Sequence, residues 1–153
     1  MLRLWTSRLS MAAMLCLLAG CGSSDGRTPT VPVKGKVTYK GEPLRIGSIV
    51  FVPEAGGKTA MANITREGEY VLGSYEETDG AITGKHKIMI IALTSPGGSG
   101  LPEDVIKPDS APVSVIPERF SDQNKSKLVA EVKEGDNTID FVLTDKTGEV
   151  KYN

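Results

Sequence analysis

Val31-Pro-Val-Lys-Gly-Lys-Val-Thr-Tyr-Lys40 decides the fold. Val31, Val33, Gly35, Val37 and Tyr39 alternate with Pro32, Lys34, Lys36, Thr38 and Lys40. Side chains in a strand point to opposite faces in turn, so this period of two predicts a strand with one apolar face and one lysine-rich face. Exposed lysines also discourage edge-to-edge pairing with other chains. Downstream, Lys40-Gly41-Glu42-Pro43 reads as a turn and residues 46–53 as a second, more buried strand, which residues 54–58 break. Residues 59–65 read as a third strand, and Arg66-Glu67-Gly68 turns into a fourth over residues 69–72.

Residues 85–93 carry the strongest strand pattern. His86, Ile88, Ile90 and Ala92 face one way and Met89, Ile91 and Leu93 the other, which predicts a central strand covered on both sides. Residues 95–112 are dense in Gly, Pro and Ser. Loops beyond about 12–15 residues are uncommon and are mostly functional or disordered; the lack of aromatic anchors here favours disorder. Ile116 and Phe120 then pin the chain back to the domain, with Pro117 at the bend. Leu128, Ala130 and Val132 alternate in a sixth strand, Glu134-Gly135-Asp136-Asn137 reads as a hairpin turn, and Ile139, Phe141 and Leu143 alternate in a seventh. Residues 145–153 read as a polar tail that frays. No stretch has helical periodicity, and turns fall every eight to twelve residues. The fold expected over residues 31–144 is all-β, a seven-stranded Ig-like or prealbumin-like sandwich.

Upstream of this domain the composition changes. Arg3 and Arg8 precede any acid, residues 9–18 form an apolar core, and Leu18-Ala19-Gly20-Cys21 closes it with small residues before a cysteine. The apolar run is too short to span a bilayer as a helix, which takes roughly 20 residues. A basic start, an apolar core and small residues before the cut are the parts of a cleaved export signal. The segment resembles the bacterial lipoprotein signal, matching all four positions of its lipobox. The resemblance implies a signal peptide over residues 1–20, cleavage between Gly20 and Cys21, and a diacylglyceryl group on the Cys21 thiol. Residues 21–30, small and polar, read as a flexible tether. Such signals carry Asp after the cysteine when retained at the inner membrane. Gly22 stands there, which favours the outer membrane.

That assignment disposes of both cysteines, since Cys16 falls in the leader and Cys21 carries lipid, so no thiol is left for a disulfide, a metal or catalysis. Of 18 basic side chains Arg3 and Arg8 leave with the leader, so 16 face 19 acidic ones. This mixed, mildly acidic balance excludes a nucleic-acid footprint.

A second resemblance rests on Val33-Lys-Gly-Lys-Val-Thr-Tyr-Lys-Gly-Glu-Pro-Leu44, Gly68-Glu-Tyr70, Gly84-Lys-His-Lys-Ile88, Ile116-Pro-Glu-Arg-Phe-Ser121 and Gly135-Asp-Asn-Thr-Ile-Asp-Phe141. These are similar to the transthyretin-like, carboxypeptidase regulatory-like domain of bacterial lipoproteins. Its motifs are turn glycines and core positions, so the resemblance implies a fold and little chemistry.

No catalytic residue and no metal ligand set is expected. His86 is the only histidine, and no serine or cysteine is placed to be activated by it. Transthyretin-related hydrolases use two histidines, an arginine and a Tyr-Arg-Gly-Ser ending, whereas this chain closes on Glu149-Val-Lys-Tyr-Asn153. Glu76, Glu77 and Asp79 with Asp136 or Asp140 fit no calcium loop and read as solvated turn acids. Asn63-Ile-Thr65 and Asn124-Lys-Ser126 match the glycosylation sequon by chance, and Gly97-Gly98-Ser99-Gly100 lacks the Lys-Ser/Thr of a phosphate loop. The expected function is a membrane-anchored, non-enzymatic structural or protein-interaction module of the cell envelope, without a cofactor. It would be held through lipid on Cys21 and bind other envelope proteins or surface polymers. The alternatives are a carbohydrate-binding module, with Tyr75 and Tyr152 as stacking rings, and, behind it, a hydrolase with His86 set against Arg119.

Overall fold

The computed structural model describes residues 26–94 and 111–153. The lipobox Leu18, Ala19, Gly20 and Cys21 and most of the 95–112 loop lie outside the described residues. What is described is mostly β, with several antiparallel sheets; its helical structure is a 3-10 turn over Glu118–Ser121.

Among the described residues eleven strands appear where seven were expected. They are β1 (Thr30–Val31), β2 (Val33–Tyr39), β3 (Glu42–Pro43), β4 (Ser48–Pro53), β5 (Ala60–Asn63), β6 (Glu69–Val71), β7 (Ala81–Ile82), β8 (Gly84–Ile91), β9 (Val129–Val132), β10 (Asn137–Leu143) and β11 (Gly148–Tyr152). One sheet runs β11-β10-β2-β3, with β6 also on β2; a second runs β5-β4-β8-β9; and β1 pairs with β7 in a small third. The extra strands lie at the ends and flanks of the patterned segments: β1, β3 and β7, of two residues each, are too short for alternation to declare them, and β11 falls in a largely polar stretch.

Alternation sets which faces are buried. Val33 and Val37 of β2, Ile139, Phe141 and Leu143 of β10, and His86, Ile88 and Ile90 of β8 are all buried. Side chains from both larger sheets share one apolar cluster. Its centre is aromatic: Phe51 on β4 stands edge-on to Phe141 on β10 at 5.9 Å between ring centroids and meets Tyr70 on β6 at 6.2 Å. Such tilted and edge-to-face pairs add about 0.5–1.5 kcal/mol beyond the area they bury.

Three expectations change. The turn at Glu134–Asn137 does not close a hairpin: β9 pairs antiparallel with β8, while β10 pairs parallel with β2 in the other sheet. Gly135 takes the reversal at φ +86°, and the Asn137 side chain ties it by accepting from the Lys133 N–H and donating to the Lys133 and Gly135 carbonyls. Turn chemistry reports the reversal; the sheet each arm joins depends on partners far along the chain. The polar tail does not fray but forms β11, paired antiparallel along β10 from Leu143↔Gly148 to Ile139↔Tyr152. The second face of β8 is only half covered, with Met89 and Ile91 intermediate and Leu93 exposed.

The stretch read as tether also reaches the domain. Thr30 and Val31 pair with Ile82 and Ala81, and Gly80 at φ +85° lies so close beneath that a Cβ there would sit 1.8 Å from the Val31 carbonyl oxygen.

Candidate functional site

The parallel seam between β2 and β10 is interrupted at its middle. Asn137 and Thr138 face Val33 and Lys34, and Phe141 to Leu143 face Val37 to Tyr39, but Gly35 and Lys36 have no rung. Side chains fill the gap. The Lys36 N–H donates to the Asp140 carboxylate at 2.8 Å, and the buried Tyr70 hydroxyl donates to the Ile139 carbonyl at 2.6 Å. Gly35 is required here, since a Cβ would sit 1.9 Å from the Ile139 oxygen and 3.0 Å from the Tyr70 hydroxyl. Burial, with the Asp140 charge, pushes the Tyr70 hydroxyl well above the ordinary phenol range. Over this gap lies a shallow hollow of about 350 Å³ walled by Lys34, Lys36, Glu69, Thr138 and Asp140, with Lys36 paired to Glu69 at 3.8 Å.

His86 is fully buried beneath Phe51, with ring centroids 5.8 Å apart. Its Nδ1 meets the Gly84 carbonyl at 3.0 Å, and its Nε2 has no hydrogen-bond partner among the described residues. Burial pulls its pKa below the ordinary value, against the Gly84 carbonyl and the Glu54 charge. The hydrolase alternative needed His86 beside Arg119. Instead the Arg119 guanidinium donates to the Asp145 and Thr144 carbonyls and lies over the Phe120 ring at 4.4 Å. Arg119 borders an open depression of about 610 Å³ with Leu93, Ser114, Glu118 and Lys125, and His86 does not line it.

The acidic residues are also dispersed. The Asp79 carboxylate accepts from the Ser74 and Tyr75 N–H groups, which hold its pKa below the usual carboxylate value although its burial opposes them. Asp140 serves the β2 seam. Among the described residues no three His, Cys, Asp or Glu side chains are grouped to hold a metal ion, and no helix is long and apolar enough to cross a membrane. Of the sequons, Asn63 ends β5, while Asn124 accepts from Lys87 Nζ at 3.1 Å and Ser126 is buried, donating to the Ile88 carbonyl.

Neither stacking ring forms a bare platform. The Tyr75 ring is covered by Arg27 at 5.3 Å and its hydroxyl accepts from the Thr28 N–H, while Arg27 also pairs with Glu76 at 3.8 Å. Residues 27–28 are thereby fastened to the end of the domain that carries the 74–80 turn, which sequence could not show because it couples positions nearly fifty residues apart. Tyr152 is 55% exposed, but its hydroxyl crosses to the other sheet and accepts from the Glu131 N–H at 3.0 Å.

That bond belongs to a wider pattern in which strand edges are interrupted. On β9, Glu131 is capped by Tyr152 and Lys133 by Asn137. On β5, Met61 exchanges both backbone bonds with Gly73. On β6, Glu69 bonds to Thr65 through both backbone groups. Only β11 is left with a long open edge among the described residues: Thr144 N bonds Thr147 O and Asn153 N bonds Thr138 O, so alternation turns the backbone groups of Gly148, Val150 and Tyr152 away from β10.

No protein-family profile matches the chain, and no curated protein matches it in sequence. Among solved structures it is similar to a DUF3823 family protein from Parabacteroides merdae ATCC 43184, at 13% identity and a TM-score of 0.36 over 76% of this chain. The chain spans 46% of the length of that protein.

Proposed function

We propose that the protein is a lipid-anchored, non-enzymatic interaction module of the bacterial envelope, with its two larger sheets forming a transthyretin-like, carboxypeptidase regulatory-like sandwich. The observation that carries this reading is Leu18-Ala19-Gly20-Cys21 behind a basic start and a short apolar core. Diacylglyceryl on Cys21, with or without acylation of its amino group, adds two or three chains. Each buried methylene contributes about 0.8 kcal/mol, so that number of chains anchors the protein stably where one chain does not. The outer membrane is the favoured surface, because Gly22 follows the cysteine.

The arrangement of the domain supports the reading. The chain enters at the end where Arg27 and Thr28 are fastened, and five residues, 22–26, separate that point from Cys21 in sequence. A fully extended chain covers about 3.3–3.6 Å per residue, so the domain stays close to the bilayer and meets partners there. Among the described residues His86 has one nitrogen on a backbone carbonyl and no hydroxyl on the other, an arrangement that favours binding over bond-breaking.

Intact mass and membrane fractionation test the anchor. Wild type is expected to carry acyl mass on Cys21 and to sediment with membranes. Cys21→Ala is expected to carry none and to escape lipid extraction. A mature wild-type protein without acyl mass overturns the reading.

A further inference from the structure

We propose that the open edge of β11 pairs antiparallel with β11 of a second copy of this chain, joining two domains through one continuous sheet. The inference rests on the interaction-module reading and names its partner. The edges of β9, β5 and β6 are each interrupted, by Tyr152 and Asn137, by the Gly73 bridge and by Thr65. β11 keeps outward-facing N–H and C=O groups at Gly148, Val150 and Tyr152, and it is five residues long. An open edge of that length is a template for another strand.

The sequence of the edge selects both the partner and the register. Partners of Val150 and Tyr152 on β10 are the buried Phe141 and Ile139, so Glu149 and Lys151 lie on the outer face, and both are exposed. When two copies pair about Val150, Val150 faces its own counterpart. Glu149 then faces Lys151 of the partner subunit, and Lys151 faces Glu149 of the partner subunit. The outward backbone groups coincide at Gly148, Val150 and Tyr152, so each donates and accepts across the seam. Slipping the pairing by one step in either direction sets Glu149 against Glu149 or Lys151 against Lys151. Like charges directly opposite are unfavourable, so the charge order admits one antiparallel register and rejects its neighbours. The two-fold axis stands normal to the sheet. Two anchored chains therefore enter the joined sheet from opposite ends and reach one bilayer when the sheet lies along it.

Charge reversal tests this on the full-length processed protein purified from membranes in detergent, with micelles in excess over protein. Sedimentation velocity across a concentration series reads the association. Wild type is expected to associate reversibly. Glu149→Lys and Lys151→Glu each replace two attractive pairs by two repulsive ones and are expected to weaken association by about tenfold or more. Mixing the two single variants restores opposite charges at both positions and is expected to recover the wild-type constant, as is the double variant carrying both changes in one chain. Both side chains are exposed, and thermal unfolding of each variant checks that the domain is intact. A wild type that stays monomeric throughout overturns the proposal, as do single variants that associate like wild type or a mixture that fails to recover. The mass measurement on Cys21 is independent: acyl mass with no self-association overturns the pairing alone, and self-association without acyl mass overturns the anchor alone.

Discussion

Replacing Tyr70 by phenylalanine removes one oxygen from the gap in the β2–β10 seam and leaves the ring in place against Phe51 and Phe141. The Ile139 carbonyl then loses the donor that sits 2.6 Å away, in a site where Tyr70 is 2% exposed and Ile139 is fully buried. An unsatisfied buried acceptor costs about 1–3 kcal/mol. For a domain of this size each kcal/mol moves the midpoint by about 4 °C, so Tyr70→Phe is expected to unfold roughly 4–12 °C earlier. Urea denaturation followed by circular dichroism gives the free energy directly, and an unchanged m-value shows that the unfolding transition itself is the same. Asp140→Ala acts on the same gap by stripping the Lys36 N–H of its acceptor. Because both changes open one seam, the double variant is expected to lose less than the sum of the singles, by about 0.5 kcal/mol or more. Gly35→Ala is the severe case: its Cβ would enter contact with the Ile139 oxygen at 1.9 Å, forcing β2 from β10 at a cost of about 3 kcal/mol or more. A Tyr70→Phe protein as stable as wild type would refute the assignment of the hydroxyl as the substitute rung.

The same hydroxyl sets an alkaline limit. Its folded pKa lies above the unfolded value of 10.0, so its contribution is complete below pH 10 and declines as pH rises further, by at most about 1.4 kcal/mol per pH unit. Tyrosinate absorbance is expected to show one of the four tyrosines resisting ionisation until unfolding. His86 works at the other end. Its folded pKa lies below the unfolded 6.5, so stability is complete above pH 6.5 and falls as pH drops through the window beneath it, with the same limiting slope. His86→Leu is expected to flatten that window in denaturation curves taken between pH 5 and 7, and an unchanged slope would sink the assignment. Tyr152→Phe frees the Glu131 N–H at the β9 edge; about 1 kcal/mol or less is expected, with faster amide exchange at Glu131 as the specific sign.

The buried faces were legible because alternation is a local property. Val33 and Val37, His86, Ile88 and Ile90, and Leu128, Ala130 and Val132 each declare an inner face within a few residues. The pairing partners were not legible, since β10 follows β9 through a reversal that reads like a hairpin, and only the distant β2 decides that the chain changes sheets. β11 was missed because its stretch is largely polar, although Gly148, Val150 and Tyr152 alternate with Glu149 and Lys151 as a strand should. The gap around Gly35 was out of reach because Gly35 and Tyr70 lie 69 or more residues from Ile139 and meet it only across strands. The anchor at Cys21 is the reverse case: covalent processing is signalled by consecutive residues and needs no fold to be read.

The parallel seam also governs when the domain can form. β2 starts the main sheet, yet its neighbour β10 arrives about a hundred residues later, as the Lys36–Asp140 bond shows with its separation of 104 positions. Contacts that distant must wait for loop closure before they reward the chain, which slows folding into the range of milliseconds to seconds. A chain emerging from its amino end can pair β2 with β6 early, but the other side of β2 waits without its partner until β10 is out. The main sheet is thereby kept open on that side during synthesis, and it locks only when β10 arrives.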